Sequence, residues 1–269
     1  MSTQTYKYLN KLANKRVLII GGSSGLGFAV AEASIENGAS VILASSNPTK
    51  LASAANRLKS TYASLISSNS TISTLTIDLS DTENLRPNLT SLLDQATSDG
   101  QLKVDHVIYT ADAASPLPPF HETQPKDISA SFSMRAYAPI ILASLLKGSD
   151  KYIAHSPDTS ITFTNGSSSH RPMPGWAVAD TAAGAMEGLV RGLTCDLAPV
   201  RVNLVSSGPV TTELFQMLPK EAIELFRSKC LTGRLGRPED VAEAYLYLMK
   251  DGNITGATIF TEGRRILHP

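Results

Sequence analysis

The sequence predicts one α/β domain, doubly wound around a mainly parallel seven-stranded sheet. Three observations point there. Short apolar runs alternate with helical patterns of ten or more residues, as βαβ units require. A glycine-rich turn, Gly21 to Gly27, joins the first run to the first helix. No repeat and no composition break divides the 269 residues, a length that α/β domains of about 250 residues reach as one unit.

The elements follow in order. Val17–Ile20 is the first strand, and Phe28–Asn37 is a helix stopped by Gly38. Val41–Ala44 is the second strand, followed by a helix over Lys50–Ile66 with leucines and alanines on one face. Ser67–Thr74 is polar and runs as a surface turn into a third strand, Ile72–Ile77. A helix over Thr82–Ala96 ends near Gly100, and Val104–Tyr109 is the fourth strand. Ala111–Pro125, with four prolines, reads as a loop. Asp127–Leu146 is a long helix, Ser160–Thr164 the fifth strand, Trp176–Leu197 a helix rich in small residues, and Arg201–Ser206 the sixth strand. Pro238 opens a helix over Glu239–Met249, and Ala257–Phe260 is the last strand. Right-handed crossovers between parallel strands complete the doubly wound arrangement.

Composition removes several function classes. Lys and Arg together number 24, as do Asp and Glu, so the net charge is zero. That leaves no electrostatic case for nucleic acid or an anionic membrane as partner. No uninterrupted apolar run approaches the roughly 18 residues of a membrane span, and MSTQTYKYLNKLANKR lacks the apolar centre of a signal peptide. Cys195 and Cys230 suggest neither a disulfide framework nor a metal site. The expectation is a cytoplasmic protein that acts on a small molecule.

The glycine turn carries the first functional reading. Gly21-Gly22-Ser23-Ser24-Gly25-Leu26-Gly27 follows a strand and opens a helix, the context a dinucleotide site needs. Glycines let backbone approach a pyrophosphate, and the helix N-terminus offers free N–H groups and a positive dipole end. Gly21, Ser23, Ser24, Gly25, Leu26 and Gly27 are therefore candidate cofactor residues on a Rossmann-type domain. NAD sites place an acid after the second strand to take the ribose 2′-hydroxyl. Here Ser45, Ser46 and Asn47 stand there without an acid, which favours NADP(H) over NAD(H). The arginine common at phosphate-preferring sites is absent too, and Lys50 is placed to supply charge.

Over nearly its whole length the chain resembles the short-chain dehydrogenase/reductase family. The resemblance rests on the glycine turn, on Leu197-Ala198-Pro199-Val200-Arg201-Val202-Asn203 and on Ser207-Gly208-Pro209-Val210-Thr211-Thr212. It rests also on Gly233-Arg234-Leu235-Gly236-Arg237-Pro238-Glu239-Asp240 and on Ile254-Thr255-Gly256. The resemblance implies that Asp78 and Leu79 lie at the adenine, that Ala111 and Asp112 end the fourth-strand cofactor segment, and that Gly208, Val210 and Thr212 lie along the nicotinamide half. It also implies a homodimer or homotetramer, for which the Ala/Gly-rich face around Thr181–Gly192 would permit close helix packing.

The family reduces carbonyls with an Asn-Ser-Tyr-Lys tetrad. At the matching positions this chain has Arg135, Gly166, Ala179 and Ala183. Losing a general acid typically forfeits about 10²–10⁴ in rate. A ketone needs that proton as its alkoxide forms, whereas an iminium ion accepts hydride without one. The chain is similar to a divergent branch of the family, the fungal reductase/Diels–Alderases of malbrancheamide- and paraherquamide-type indole alkaloids. That branch also lacks the Tyr and Lys, has Arg at the Asn position and carries a Pro-Gly-Trp loop like Pro174-Gly175-Trp176. The resemblance implies an NADPH-dependent iminium reductase with a coupled intramolecular cycloaddition. The branch uses an acid shortly after the fifth strand, where the comparable loop residue here is His170.

Arg135, His170 and Trp176 are the candidate catalytic residues. Arg135 can hold an oxyanion or amide oxygen, His170 can shuttle a proton, and Trp176 can stack on a flat substrate. Three alternatives stand beside the reductase: a non-redox cyclase or isomerase, a ketoreductase with substituted acids, and a cofactor-binding pseudoenzyme.

Overall fold

The computed structural model describes residues 6–66, 71–112 and 118–267. Seven strands form one sheet in the order β3-β2-β1-β4-β5-β6-β7. They are β1 (Arg16–Ile20), β2 (Ser40–Ser45), β3 (Ile72–Thr76), β4 (His106–Tyr109), β5 (Ser160–Gly166), β6 (Arg201–Ser207) and β7 (Thr258–Thr261). Every pairing is parallel, so the expected mainly parallel sheet is wholly so. The chain winds outward from β1 through β2 to β3, then returns to place β4 on the other side. The reversal opens a crevice at the carboxyl ends of β1 and β4, where ligands of doubly wound folds bind.

Alternation along the central strands supplies both faces of the core. Val17 and Ile19 of β1, with Val41 and Leu43 of β2, meet α1 (Gly25–Glu36), α2 (Pro48–Thr61) and α9 (Pro238–Lys250) through Phe28, Leu51 and Tyr245. Leu18, Ile20 and Ile42 point the other way, to Leu89 and Leu92 of α3 (Leu85–Thr97), Leu142 and Leu146 of α5 (Ala138–Lys147), and Met186 and Val190 of α6 (Ala177–Asp196). Each such buried side chain contributes about 1.5–3 kcal/mol over an exposed one.

Several boundaries differ from the sequence reading for local reasons. Asp105 accepts bonds from the Arg16 amide (2.8 Å) and the Lys15 ammonium (2.9 Å), so β4 starts only at His106. Val104 instead makes an isolated bridge with Ile153. The predicted loop Ala111–Pro125 gives way to a single 3₁₀ turn at Phe120–Glu122 and then to α4 (Pro125–Phe132). Gln124 and Asp127 form a capping box there, which starts the helix before Asp127. Residues 113–117 of that loop and 67–70 of the expected surface turn lie outside the described residues. The long helix carries a π-helical turn, Ser133–Tyr137, between α4 and α5. Two helices were not expected, α7 (Glu213–Gln216), which is a single turn, and α8 (Lys220–Ser228), whose half-buried Ala222, Ile223 and Phe226 do fall at helical spacing.

Among the described residues, Pro125–Lys147 is the one helix long and apolar enough to cross a membrane, at 23 residues. Ala138, Leu142, Ala143 and Leu146 bury one of its faces in the core.

Candidate functional site

The glycine turn leaves β1 with two amides, Gly21 N and Gly22 N, donating to the Ala44 carbonyl of β2. Gly21 has φ +95°, and a Cβ there would sit 2.6 Å from the Ala111 nitrogen. On Gly27 a Cβ would lie 2.3 Å from the Gly21 carbonyl oxygen. These two glycines are thus required by the turn's own packing against the end of β4. Gly25 is different. A Cβ there would meet only Thr212, at 3.3 Å from Cγ2, across the crevice.

Ser24 is the N-cap of α1, in extended conformation, yet its side chain makes no cap bond and no acid occupies the first turn. The N–H groups that begin a helix have no partner within it, so Ser24, Gly25 and Leu26 present free donors and the dipole's positive end. This fits a dinucleotide pyrophosphate. Ser23 Oγ and Ser45 Oγ are 3.0 Å apart, which joins the glycine turn to the end of β2. Ser46 is exposed. Asn47 has a structural duty, since its side-chain oxygen caps α2 by accepting from Lys50 N at 2.9 Å. Lys50 Nζ reaches Glu213 of α7 at 3.6 Å.

Further along the crevice, Asp78 Oδ1 accepts from the Ser80 hydroxyl (2.7 Å) and amide (2.9 Å). Those bonds hold its carboxyl below the usual carboxylate range, so Asp78 is an ionised acceptor. Leu79 is buried, and its carbonyl accepts from Ser133 Oγ at 3.0 Å. On the far side, Val210 pairs with Gly236 in an isolated bridge. Gly208 lacks a side chain for a packing reason, because a Cβ would meet Glu262 Cα at 2.6 Å. Thr212 caps α7 by accepting from Phe215 N at 3.2 Å.

The structure brings Arg135 and Asp112 together. Arg135 Nε donates to Asp112 Oδ1 at 3.1 Å and Nη2 to Oδ2 at 2.6 Å, a bidentate pair with both side chains partly exposed. Of the guanidinium's five N–H donors, this leaves the Nη1 pair and one on Nη2 for another acceptor. The π-helical turn sets this position. Its Met134 carbonyl accepts from the Tyr109 hydroxyl at 2.7 Å, and Ser133 is tied to Leu79. Tyr109 is buried, and burial pushes its phenol far up, so it acts as a neutral tether. π-turns inside helices recur at functional sites.

His170 has other partners. Its Nε2 lies 3.1 Å from Glu187 Oε1, and its ring meets Phe260 edge-on at 4.8 Å. Ser169 Oγ also donates to Glu187, at 2.7 Å. Glu187 is a site-flanking residue that sequence reasoning missed. It lies one helical turn beyond Ala183 on α6, and that spacing was the available signal. Trp176 is 39% exposed at the start of α6, with no ring partner among the described residues. Ala179 and Ala183 are buried where the family's acid and its lysine would stand, so the helix face toward the cleft carries no proton donor there.

A model of the SDR-like Rossmann domain matches residues 8–268. The chain is 42% identical over 260 residues to the short-chain dehydrogenase/reductase malC of Malbranchea aurantiaca, covering 95% of this chain and 96% of that one. It is 35% identical over 267 residues to the short-chain dehydrogenase/reductase fsr5 of Gibberella fujikuroi, covering 97% and 98%. The solved structure of MalC reductase/Diels–Alderase from Malbranchea aurantiaca superposes with a TM-score of 0.89 at 41% identity, over 97% of this chain and all of that one.

Proposed function

The chain belongs to the short-chain dehydrogenase/reductase family, and from that premise we propose that it is an NADPH-dependent reductase of specialised metabolism. Its substrate is an iminium or a similarly activated acceptor, and reduction is coupled to an intramolecular Diels–Alder cyclisation. The observation that carries this is the combination of an intact dinucleotide crevice with a cleft wall in which Ala179 and Ala183 replace the proton donor and its lysine. A bound reduced nicotinamide would supply hydride to the iminium carbon, leaving a neutral amine and oxidised cofactor with no proton required.

The chain's own residues then bind and orient. Asp112 holds Arg135 by two bonds, and the remaining guanidinium donors face an amide oxygen or oxyanion of the substrate. Trp176, exposed at the start of α6, offers a flat surface for an indole-like ring. His170 is fixed by Glu187 and Phe260 on the flank of α6 and lines the loop after β5. The name of the Malbranchea relative, reductase/Diels–Alderase, supports the coupled cyclisation.

The test is stoichiometry. Purified protein is given a cyclic iminium and, separately, the matching ketone, and NADPH oxidation is counted against product. The expected result is one NADPH per iminium reduced, with the ketone slower by about 10²-fold or more, the cost of a missing general acid. Equal turnover of both substrates would sink the proposal. Product that forms equally fast with oxidised cofactor would favour a non-redox cyclase.

A further inference from the structure

We propose that Lys50 and Glu213 form a latch across the cofactor crevice, and that the 2′-phosphate of an NADP-type cofactor opens it by taking Lys50 from Glu213. The inference rests on the NADPH reading above. Lys50 stands in the first turn of α2, after β2, and Glu213 opens α7, after β6. Between β2 and β6 the sheet holds β1, β4 and β5, so the strands themselves lie roughly 19 Å apart at about 4.8 Å per step. Yet Lys50 Nζ and Glu213 Oε2 approach to 3.6 Å. The segments after the two strands must therefore arch toward each other over the end of β1, which is the glycine turn. Thr212, the residue before Glu213, confirms the closure from below, for its Cγ2 lies 3.3 Å from where a Cβ of Gly25 would sit.

The chemistry assigns the latch its key. Around the end of β2 the groups available to a ribose phosphate are Ser23, Ser45, Ser46 and Lys50, and Lys50 is the cation among them. A carboxylate at 3.6 Å competes for that cation. Both side chains are largely exposed, 59% and 62%, and such ion pairs are weak and salt-sensitive. A phosphate, with more charge and three acceptor oxygens, displaces Glu213 readily. A 2′-hydroxyl has no charge with which to do so. Release of Glu213 removes the ion pair that ties α7 to α2; Leu214 of α7 and Met217 and Leu218 after it are exposed. The phosphate thus does two things: it selects the cofactor, and it unties α7 from α2.

The experiment measures NADPH and NADH affinity by calorimetry for the wild type, Lys50→Met, Lys50→Arg and Glu213→Gln. Amide exchange over residues 211–218 is followed in each complex. Lys50→Met is expected to weaken NADPH binding about 10–100-fold, as for loss of a charge-assisted bond, and to narrow the NADPH/NADH ratio by the same factor. Lys50→Arg is expected to restore it. Glu213→Gln should tighten NADPH about two- to fivefold, the worth of an exposed ion pair, with little change for NADH. In the wild type, NADPH but not NADH should speed exchange at residues 211–218. An unchanged NADPH/NADH ratio in Lys50→Met, or weaker NADPH binding in Glu213→Gln, would overturn the latch while leaving the reductase intact. A wild type that binds neither cofactor would overturn both.

Discussion

Arg135 and Asp112 lie 23 positions apart in the chain and meet through two hydrogen bonds. Arg135 stands at the position matching the family's Asn, and Asp112 complements it in charge. A cation alone in the crevice would be free to swing, whereas the fork geometry fixes its plane. Asp112→Ala should therefore lower kcat/KM for the iminium substrate about tenfold. Stability should fall by less than about 1 kcal/mol, since the pair is partly exposed. Steady-state kinetics and a urea melt decide it: a stability loss with unchanged kinetics would make the pair a structural brace only.

The elements that build the site are governed by close backbone approaches. Gly27 is the sharpest case, with a Cβ position 2.3 Å from the Gly21 carbonyl and 2.6 Å from Thr110 Oγ1. Gly27→Ala must push the glycine turn away from β4. It is expected to cost about 1–3 kcal/mol, as overpacking does, and to abolish NADPH binding, read by thermal melting and calorimetry. A variant that keeps wild-type affinity would show that the turn does not hold the cofactor. The π-helical turn is the second such element. It widens the helix where Tyr109 and Ser133 tie it down, and so aims Arg135.

Across the whole molecule, the crevice and the buried anchors lie at opposite ends of the strands. The carboxyl ends of the strands carry the crevice. At the amino ends, Arg201 begins β6 buried and donates to the carbonyls of Pro157 (2.6 Å), Leu248 (2.6 Å) and Met249 (3.1 Å). His106 begins β4, also buried, with Nδ1 2.9 Å from Ser160 Oγ. Burial lowers its pKa from 6.5 to about 4. The folded protein thus keeps His106 neutral where the unfolded chain would bind a proton. Its contribution is complete above pH 6.5 and is lost as pH falls toward 4. At about 1.4 kcal/mol per pH unit the ceiling is roughly 3 kcal/mol. Urea melts between those limits should show the slope, and His106→Gln should flatten it. An equally steep slope in the variant would place the acid sensitivity elsewhere.

Strand and helix alternation, the glycine turn, the missing tetrad at Arg135, Gly166, Ala179 and Ala183, and the absence of an acid after β2 can all be read along the chain. These are legible because periodicity, glycine requirements and motif spacing are local properties of the chain. The pairings came only with the fold. Asp112 became the partner of Arg135, and Asn47 became a cap. His170 turned to Glu187 on a neighbouring helix, and Lys50 reached Glu213 across the carboxyl ends of the strands. The α7 helix escaped the sequence because a single turn has no period to show, whereas α8 does carry one, with Ala222, Ile223 and Phe226 half-buried on one face. Pairings between side chains distant in sequence depend on where the sheet order and the crossovers bring them. No local pattern encodes that, since charge and hydrogen-bonding capacity name no partner until the fold supplies one.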